Sequence, residues 1–276
     1  MSKEVIKQTP KSFTMNVLNG LAMGTVVVLI PGAILGELMK ALLPMWSGFG
    51  TLIAATAIAA TLMGLFIGMF VGMNFKFNPI QSASLGLAVI FAGGSPNFAN
   101  GVITMQGTGD IINMGITAAL GVLLIQFLSD KTKSFTLIIV PTVTLLLVGG
   151  VGRVLLPYVK MITTMIGQGI ALAINLSGIG SGAANLGICA ASFGLCLAGW
   201  AVNSKGTSLA HVLGSPKISM ANVLSKPKIM LPMLCSAAVL GVIGAIFNIQ
   251  GTPASAGFGI SGLIGPINAL NLAKGG

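Results

Sequence analysis

The feature that most constrains this chain is where its charges are not. Residues 12–36, 41–75, 77–109, 111–129, 134–152, 161–204 and 229–273 contain no Asp, Glu, Lys or Arg. A helix needs roughly 20 apolar residues to cross the hydrocarbon of a bilayer. Each run therefore holds one crossing, and the longer ones hold two segments. Only 7% of residues are charged, against about 25% in soluble domains, and mean hydropathy is +0.99. That excludes a water-soluble fold. A transmembrane β-barrel is excluded as well, because its strands would read as short alternating segments. The expected class is an all-α polytopic integral membrane protein with about 7–10 membrane segments.

The net charge of +10 does not point to nucleic acid. The lysines sit between the apolar runs, where they act as topology signals. Residues 1–13 read as a basic cytoplasmic tail without a signal-peptide cleavage site. Residues 14–276 read as one membrane domain. Its polar loop at 204–228, with Lys205, Lys217, Lys226 and Lys228, is placed in the cytoplasm by the same charge logic. A first span is expected at about Val17–Met39, interrupted at Pro31, and a second at about Trp46–Met73. The second carries Gly64, Gly68 and Gly72 on one helical face, which permits close helix contact. A fifth span is expected to end near Leu155, with a separate helix over 161–176. The number of crossings between Lys160 and Lys205 must then be odd, although 161–204 has room for two helices.

Two places combine Gly, Pro and small polar residues inside apolar runs: 92–109 and 250–266. They share a short string, Q-G-T-G at 106–109 and Q-G-T-P at 250–253. Paired interruptions in two parts of a membrane protein point to a binding site. Irregular backbone at membrane depth persists only when it is buried in protein or lines a wet cavity. Two readings stand, a pair of re-entrant hairpins or two apolar loops outside the membrane. On the first reading the candidate solute-binding residues are Asn97, Asn100, Gln106, Thr108 and Asp110, with Asn248, Gln250, Thr252 and Ser255. A third Gly/Ser-rich stretch, "SGIGSGAANLG" at 177–187, reads as tight packing or a hinge.

Ionisable groups near the spans are functional candidates by default, but each has a plainer reading. Glu37 and Lys40 make an interfacial i, i+3 pair. Asp110 is placed to cap a helix or to touch a solute, and Arg153 to snorkel from a span end. His211, the single histidine, titrates near neutrality when unperturbed but lies in the long loop. No nucleotide-binding string, metal-ligand set or catalytic triad is present. Cys189, Cys196 and Cys235 lie in apolar stretches without metal spacing. No catalytic residue, metal or cofactor is expected.

The strings "KFNPIQ", "GDIINMGITAALGVLLI", "GAANLG" and above all "NIQGTPASAGFGISGLIGPINA" resemble the membrane IIC components of the sugar phosphotransferase system. Within that family they resemble the stand-alone subgroup of the perfringolysin O regulator type. The resemblance implies a transport domain with two re-entrant hairpins that works as a homodimer beside separate IIA and IIB proteins. It also implies additional membrane sequence between "MITTMIG" and "GIGSGAANLG", which would repair the odd number of crossings. Where the family presents a sugar-binding glutamate, this chain has "GTPASAG", without a carboxylate. The expected function is a permease for a small polar, sugar-like solute in a bacterial cytoplasmic membrane, with membrane lipid around it. The alternative is a sensor or regulator that keeps the fold and signals through the 204–228 loop.

Overall fold

The structure, a computed structural model, describes residues 9–132, 135–173, 178–213, 216–252, 255–257, 259–260 and 263–274. The expectations for the tail at 1–8, for residues 174–177 and for Pro253 lie outside the described residues, as do the Glu37 and Lys217 side chains. Among the described residues the chain is helical apart from one two-stranded hairpin and short connections. Five helical stretches are long and apolar enough to cross a membrane: Pro10–Gly32, Ile111–Ser129, Thr136–Ile166, Ile179–Gly199 and Pro227–Ile246. The bent pair Phe49–Thr61 with Met63–Asn74 counts as a sixth if it is one span. The polytopic all-α class is therefore observed.

The chain divides into two compact units. The first comprises residues 1–25 and 61–160. It holds the start of α1 (Pro10–Leu42), then α3 (Met63–Asn74), α4 (Pro79–Gly93) and the strands β1 (Pro96–Ala99) and β2 (Val102–Met105). Helices α5 (Ile111–Thr132) and α6 (Thr136–Val143), a π-helical turn at Thr144–Gly149 and the first part of α7 (Gly150–Ala173) complete it. The three-glycine face of α3 does what its spacing implies. A methyl group added at Gly68 would stand 2.6 Å from Gly86 Cα, and at Gly64 the same distance from Ile90 Cα. Backbones approach this closely in membranes because small residues let packing replace the hydrophobic drive that lipid lacks. On another side of α3, Gly20 and Gly24 of α1 give the same clearance to Val71 and Ile67.

Local sequence fixes the ends of these helices. "NPIQ" starts α4 with a capping box. The Asn78 side chain accepts from Gln81 N, and the Gln81 side chain accepts from Asn78 N. Pro79 stands in the first turn, where a missing N–H costs nothing. Lys76 takes φ 57° as α3 ends, while Phe77 N bonds to the Gly72 carbonyl, a Schellman closure. The core of the unit is Ile67, Val71, Leu85, Val89, Met114, Val122 and Ile125, all buried.

The second unit comprises residues 26–60 and 161–276. It holds the end of α1, α2 (Phe49–Thr61), the end of α7, and then α8 (Ile179–Gly199), α9 (Lys205–Leu213), α10 (Met220–Ser225), α11 (Leu231–Ile246) and α12 (Ile264–Lys274). Its centre is the pair α8 and α11, where a methyl group added at Gly187 would stand 3.5 Å from Ala237 Cβ and one added at Gly194 would stand 3.0 Å from Met233 Cγ.

Two expectations about helix ends change. Helix α1 runs through Pro31 to Leu42 rather than breaking. Helix α7 runs unbroken past Pro157 and Lys160, because a single charge does not end a helix and proline is tolerated within membrane helices. The 204–228 stretch is folded: α9, α10 and two 3₁₀ turns fill most of it. Buried His211 helps hold it together, with Nε2 2.7 Å from Ser219 Oγ and Nδ1 3.2 Å from the Ser208 carbonyl.

Candidate functional site

The interruption in the first unit is a β-hairpin. β1 and β2 pair antiparallel, Asn97 opposite Thr104 and Phe98 opposite Ile103. The turn is Asn100-Gly101, with φ 52° and 77°, the two positive values a type I′ turn needs. Side chains alternate across the ribbon, so Asn97 and Thr104 share one face while Phe98 and Ile103 share the other. Both faces are exposed. The dipeptide Asn-Gly between apolar residues is the sequence signal for this hairpin, and it shows that α4 gives way to strand here.

The hairpin's root is tied to the helices. Gln106 N donates to the Ser95 carbonyl at 2.8 Å, and Asp110 N to the Gly93 carbonyl at 2.9 Å. Gly94 closes α4 at φ 89°, and Arg153 Nη1 lies close to it. Asp110 caps α5, its carboxylate accepting from Asn113 N at 2.7 Å, a placement its negative charge favours at a helix N-terminus. Asn97, Asn100 and Gln106 are exposed, whereas Thr108 and Asp110 are half-buried.

The interruption in the second unit, residues 247–263, is built differently. It leaves α11 by a Schellman closure. Asn248 has φ 51°, its N–H donates to the Ala245 carbonyl, and Ile249 N donates to the Gly244 carbonyl at 2.8 Å. The chain then docks on the start of α8. Gly251 N donates to the Gly178 carbonyl at 2.9 Å, and any side chain at Gly182 would collide with the Ile249 carbonyl. Ser255 is fully buried and closes a side-chain turn. Its Oγ accepts from Thr252 N and donates to the Thr252 carbonyl, both at 2.9 Å. Thr252 Oγ1 donates to Asn268 Oδ1 at 3.3 Å. Gln250 Nε2 donates to Asn248 Oδ1 at 3.4 Å.

The structure thus gathers the nine sequence-derived candidates into two groups, one in each unit. Asn97, Asn100, Gln106, Thr108 and Asp110 lie on or below the hairpin. Asn248, Gln250, Thr252 and Ser255 lie in the loop after α11. Reading the sequence passed over two further polar residues. Asn113, fully buried, donates through Nδ2 to the carbonyls of Ala92 (2.8 Å) and Gly152 (2.9 Å), joining α4, α5 and α7. Asn185, buried in α8, lies against Gly265 at the start of α12. Among the described residues the Oδ1 atom of each has no hydrogen-bond partner. Chemically, both groups offer neutral donors and acceptors and little charge, which suits hydroxyl-bearing solutes. Among the described residues no cluster of His, Cys, Asp or Glu could hold a metal.

A family model described as "Phosphotransferase system, EIIC" matches residues 15–175 and 168–275 of the chain. The two matched stretches overlap at residues 168–175, at the end of α7, within the run where the odd number of crossings arose. No curated protein and no solved structure matches the chain.

Proposed function

The chain belongs to the EIIC family of the phosphotransferase system, and on that premise we propose that it is a permease for a small polar, sugar-like solute. The observation that carries the reading is that both breaks in its apolar helices expose or cradle neutral polar groups. Two such breaks in one membrane protein are where transporters place their solutes. The candidate solute-contacting residues on this reading are Asn97, Asn100, Gln106, Thr108 and Asp110 in the first unit, and Asn248, Gln250, Thr252 and Ser255 in the second. Transport proceeds by movement of one helix bundle against another.

The finer assignments belong to the same proposal. The protein sits in a bacterial cytoplasmic membrane with its N-terminus inside, works as a homodimer, and belongs to the stand-alone subgroup of the perfringolysin O regulator type. Phosphorylation of the solute would need separate IIA and IIB proteins. "GTPASAG" has no carboxylate to receive the sugar, so the reading rests on carriage rather than phosphorylation.

The test is uptake of labelled hexoses and hexitols into proteoliposomes holding the purified full chain. Saturable uptake above protein-free vesicles supports the permease. Binding without uptake favours the sensor, and neither binding nor uptake of any probe overturns both.

A further inference from the structure

Helix α9 is folded the wrong way round for a loop in water. Its inward face carries Ser208 and His211, both buried, against α8 and the 3₁₀ turn at Pro216–Ser219. Leu209 and Leu213, one turn apart on the opposite side, are exposed. A surface helix in water has the reverse arrangement, with apolar residues inward and polar residues outward. Leu224 of α10 is exposed as well. Neither helix can carry this apolar surface away from the bilayer. α9 begins at Lys205, a short connection after α8 ends at Gly199, and the apolar stretch Pro227–Ile246 begins just after α10 ends at Ser225. Both flanking stretches are long and apolar enough to cross a membrane, so the segment between them is held at one membrane surface.

The charge of this segment is equally one-sided. Residues 161–276 hold Lys205, Lys217, Lys226, Lys228 and Lys274 and no Asp or Glu. The single acidic side chain in the sequence of the second unit is Glu37. Lysines between spans are topology signals, but topology asks nothing of the leucines beside them. Lys205 is fixed at the end of α8. Its Nζ donates to the Trp200 carbonyl at 2.9 Å and lies 4.4 Å from the centre of the Trp200 ring. Neither contact neutralises the ammonium. Trp200 is itself exposed where the span ends, the level at which indole rings sit among lipid headgroups. Lys226 and Lys228 are exposed where the chain turns into α11. An apolar face edged by lysines lies in a membrane interface and attracts anionic lipid. A soluble acidic protein would match the lysines but not the leucines, and a second copy of the chain would bring the same positive charge. We propose that residues 200–228 form an interfacial platform for anionic phospholipids, with Leu209 and Leu213 at the acyl boundary and Lys205, Lys226 and Lys228 on the phosphates. The proposal rests on the membrane placement of α8 and α11 and not on the permease reading.

The test reads lipid contact at the platform itself. The full chain carrying Trp46→Phe, which leaves Trp200 as its one tryptophan, is reconstituted in mixed phosphatidylcholine and phosphatidylglycerol vesicles. The acyl chains of one lipid or the other are brominated, and quenching of Trp200 gives the relative association of each lipid with this face. A second reporter, Leu209→Trp with Trp46 and Trp200 both replaced by Phe, reads α9 in the same way. One lysine near an anionic surface is worth about fivefold in association, so phosphatidylglycerol should be preferred by about fivefold or more at low salt. High salt should bring the preference toward unity, and so should Lys205→Gln, Lys226→Gln and Lys228→Gln combined. The salt titration needs no lysine variant and decides the matter where the triple variant fails to fold. Equal association of the two lipids at low salt, or a preference that survives high salt, overturns the inference. Quenching of neither reporter by either lipid shows that protein covers this face, a second copy included, and overturns it as well. None of these outcomes bears on solute uptake, so the permease reading stands or falls separately.

Discussion

The hairpin at 96–105 and the loop at 247–263 answer one problem in two ways. Each follows an apolar helix, and each must satisfy a backbone that has left the helical ladder. The hairpin does so within itself, strand to strand across an Asn-Gly turn. Its polar side chains stay exposed and uncommitted to the backbone. The loop has no strand partner. It is closed by a Schellman cap, by the Gly251–Gly178 bond and by the Thr252–Ser255 turn. There the polar side chains hold the backbone, and Gly182 of α8 makes room for it. The first region is a ribbon anchored at its root. The second is seated on the start of α8 at Ile249 and Gly251.

That contrast can be broken by substitution. The largest effect should come from Gly182→Ala, whose methyl would strike the Ile249 carbonyl. A destabilisation of about 3 kcal/mol is expected, read as loss of monodisperse protein or a large fall in thermal midpoint in detergent. Gly101→Ala at the hairpin tip meets nothing within 4 Å and should cost only the strain of its positive φ, about 1 kcal/mol. Equal effects would erase the distinction between a free tip and a seated loop.

Next is Asn113→Ala, which leaves the Ala92 and Gly152 carbonyls without their donor. A loss of about 2 kcal/mol is expected, together with faster proteolysis near the hairpin root. Removing the α5 cap with Asp110→Ala should cost about 1 kcal/mol, seen in the same melts. The smallest change should be Asn100→Gly, which keeps both positive φ values of the turn. Stability should move by less than about 0.5 kcal/mol, so any loss of uptake in that variant reports on the side chain itself.

Much of this fold was legible in the sequence because lipid enforces a simple rule: uncharged runs become helices. The glycine face of α3 was legible for the same reason, since spacing alone puts Gly64, Gly68 and Gly72 together. Helix ends inside the membrane were harder. Proline alone does not mark a break: Pro31 and Pro157 are absorbed by their helices, whereas Pro96, beside Gly94 and the Asn-Gly pair, begins a strand. The two breaks were visible in composition, but their contrasting structures were not. The Asn-Gly pair is a local hairpin signal that the composition-based reading passed over, whereas the loop's docking on α8 depends on residues some 70 positions away. Asn113 and Asn185 were hidden because a single polar residue in an apolar helix looks like surface until its burial is known.

The most direct test of the central claim compares the two breaks in one assay. Uptake of a labelled hexose into proteoliposomes is measured for wild type, Asn100→Gly and Gln250→Ala, with thermal midpoints recorded alongside. The account predicts at least a tenfold fall in uptake for each variant at an unchanged midpoint. Wild-type uptake in both would contradict the assignment of the broken segments as the solute site.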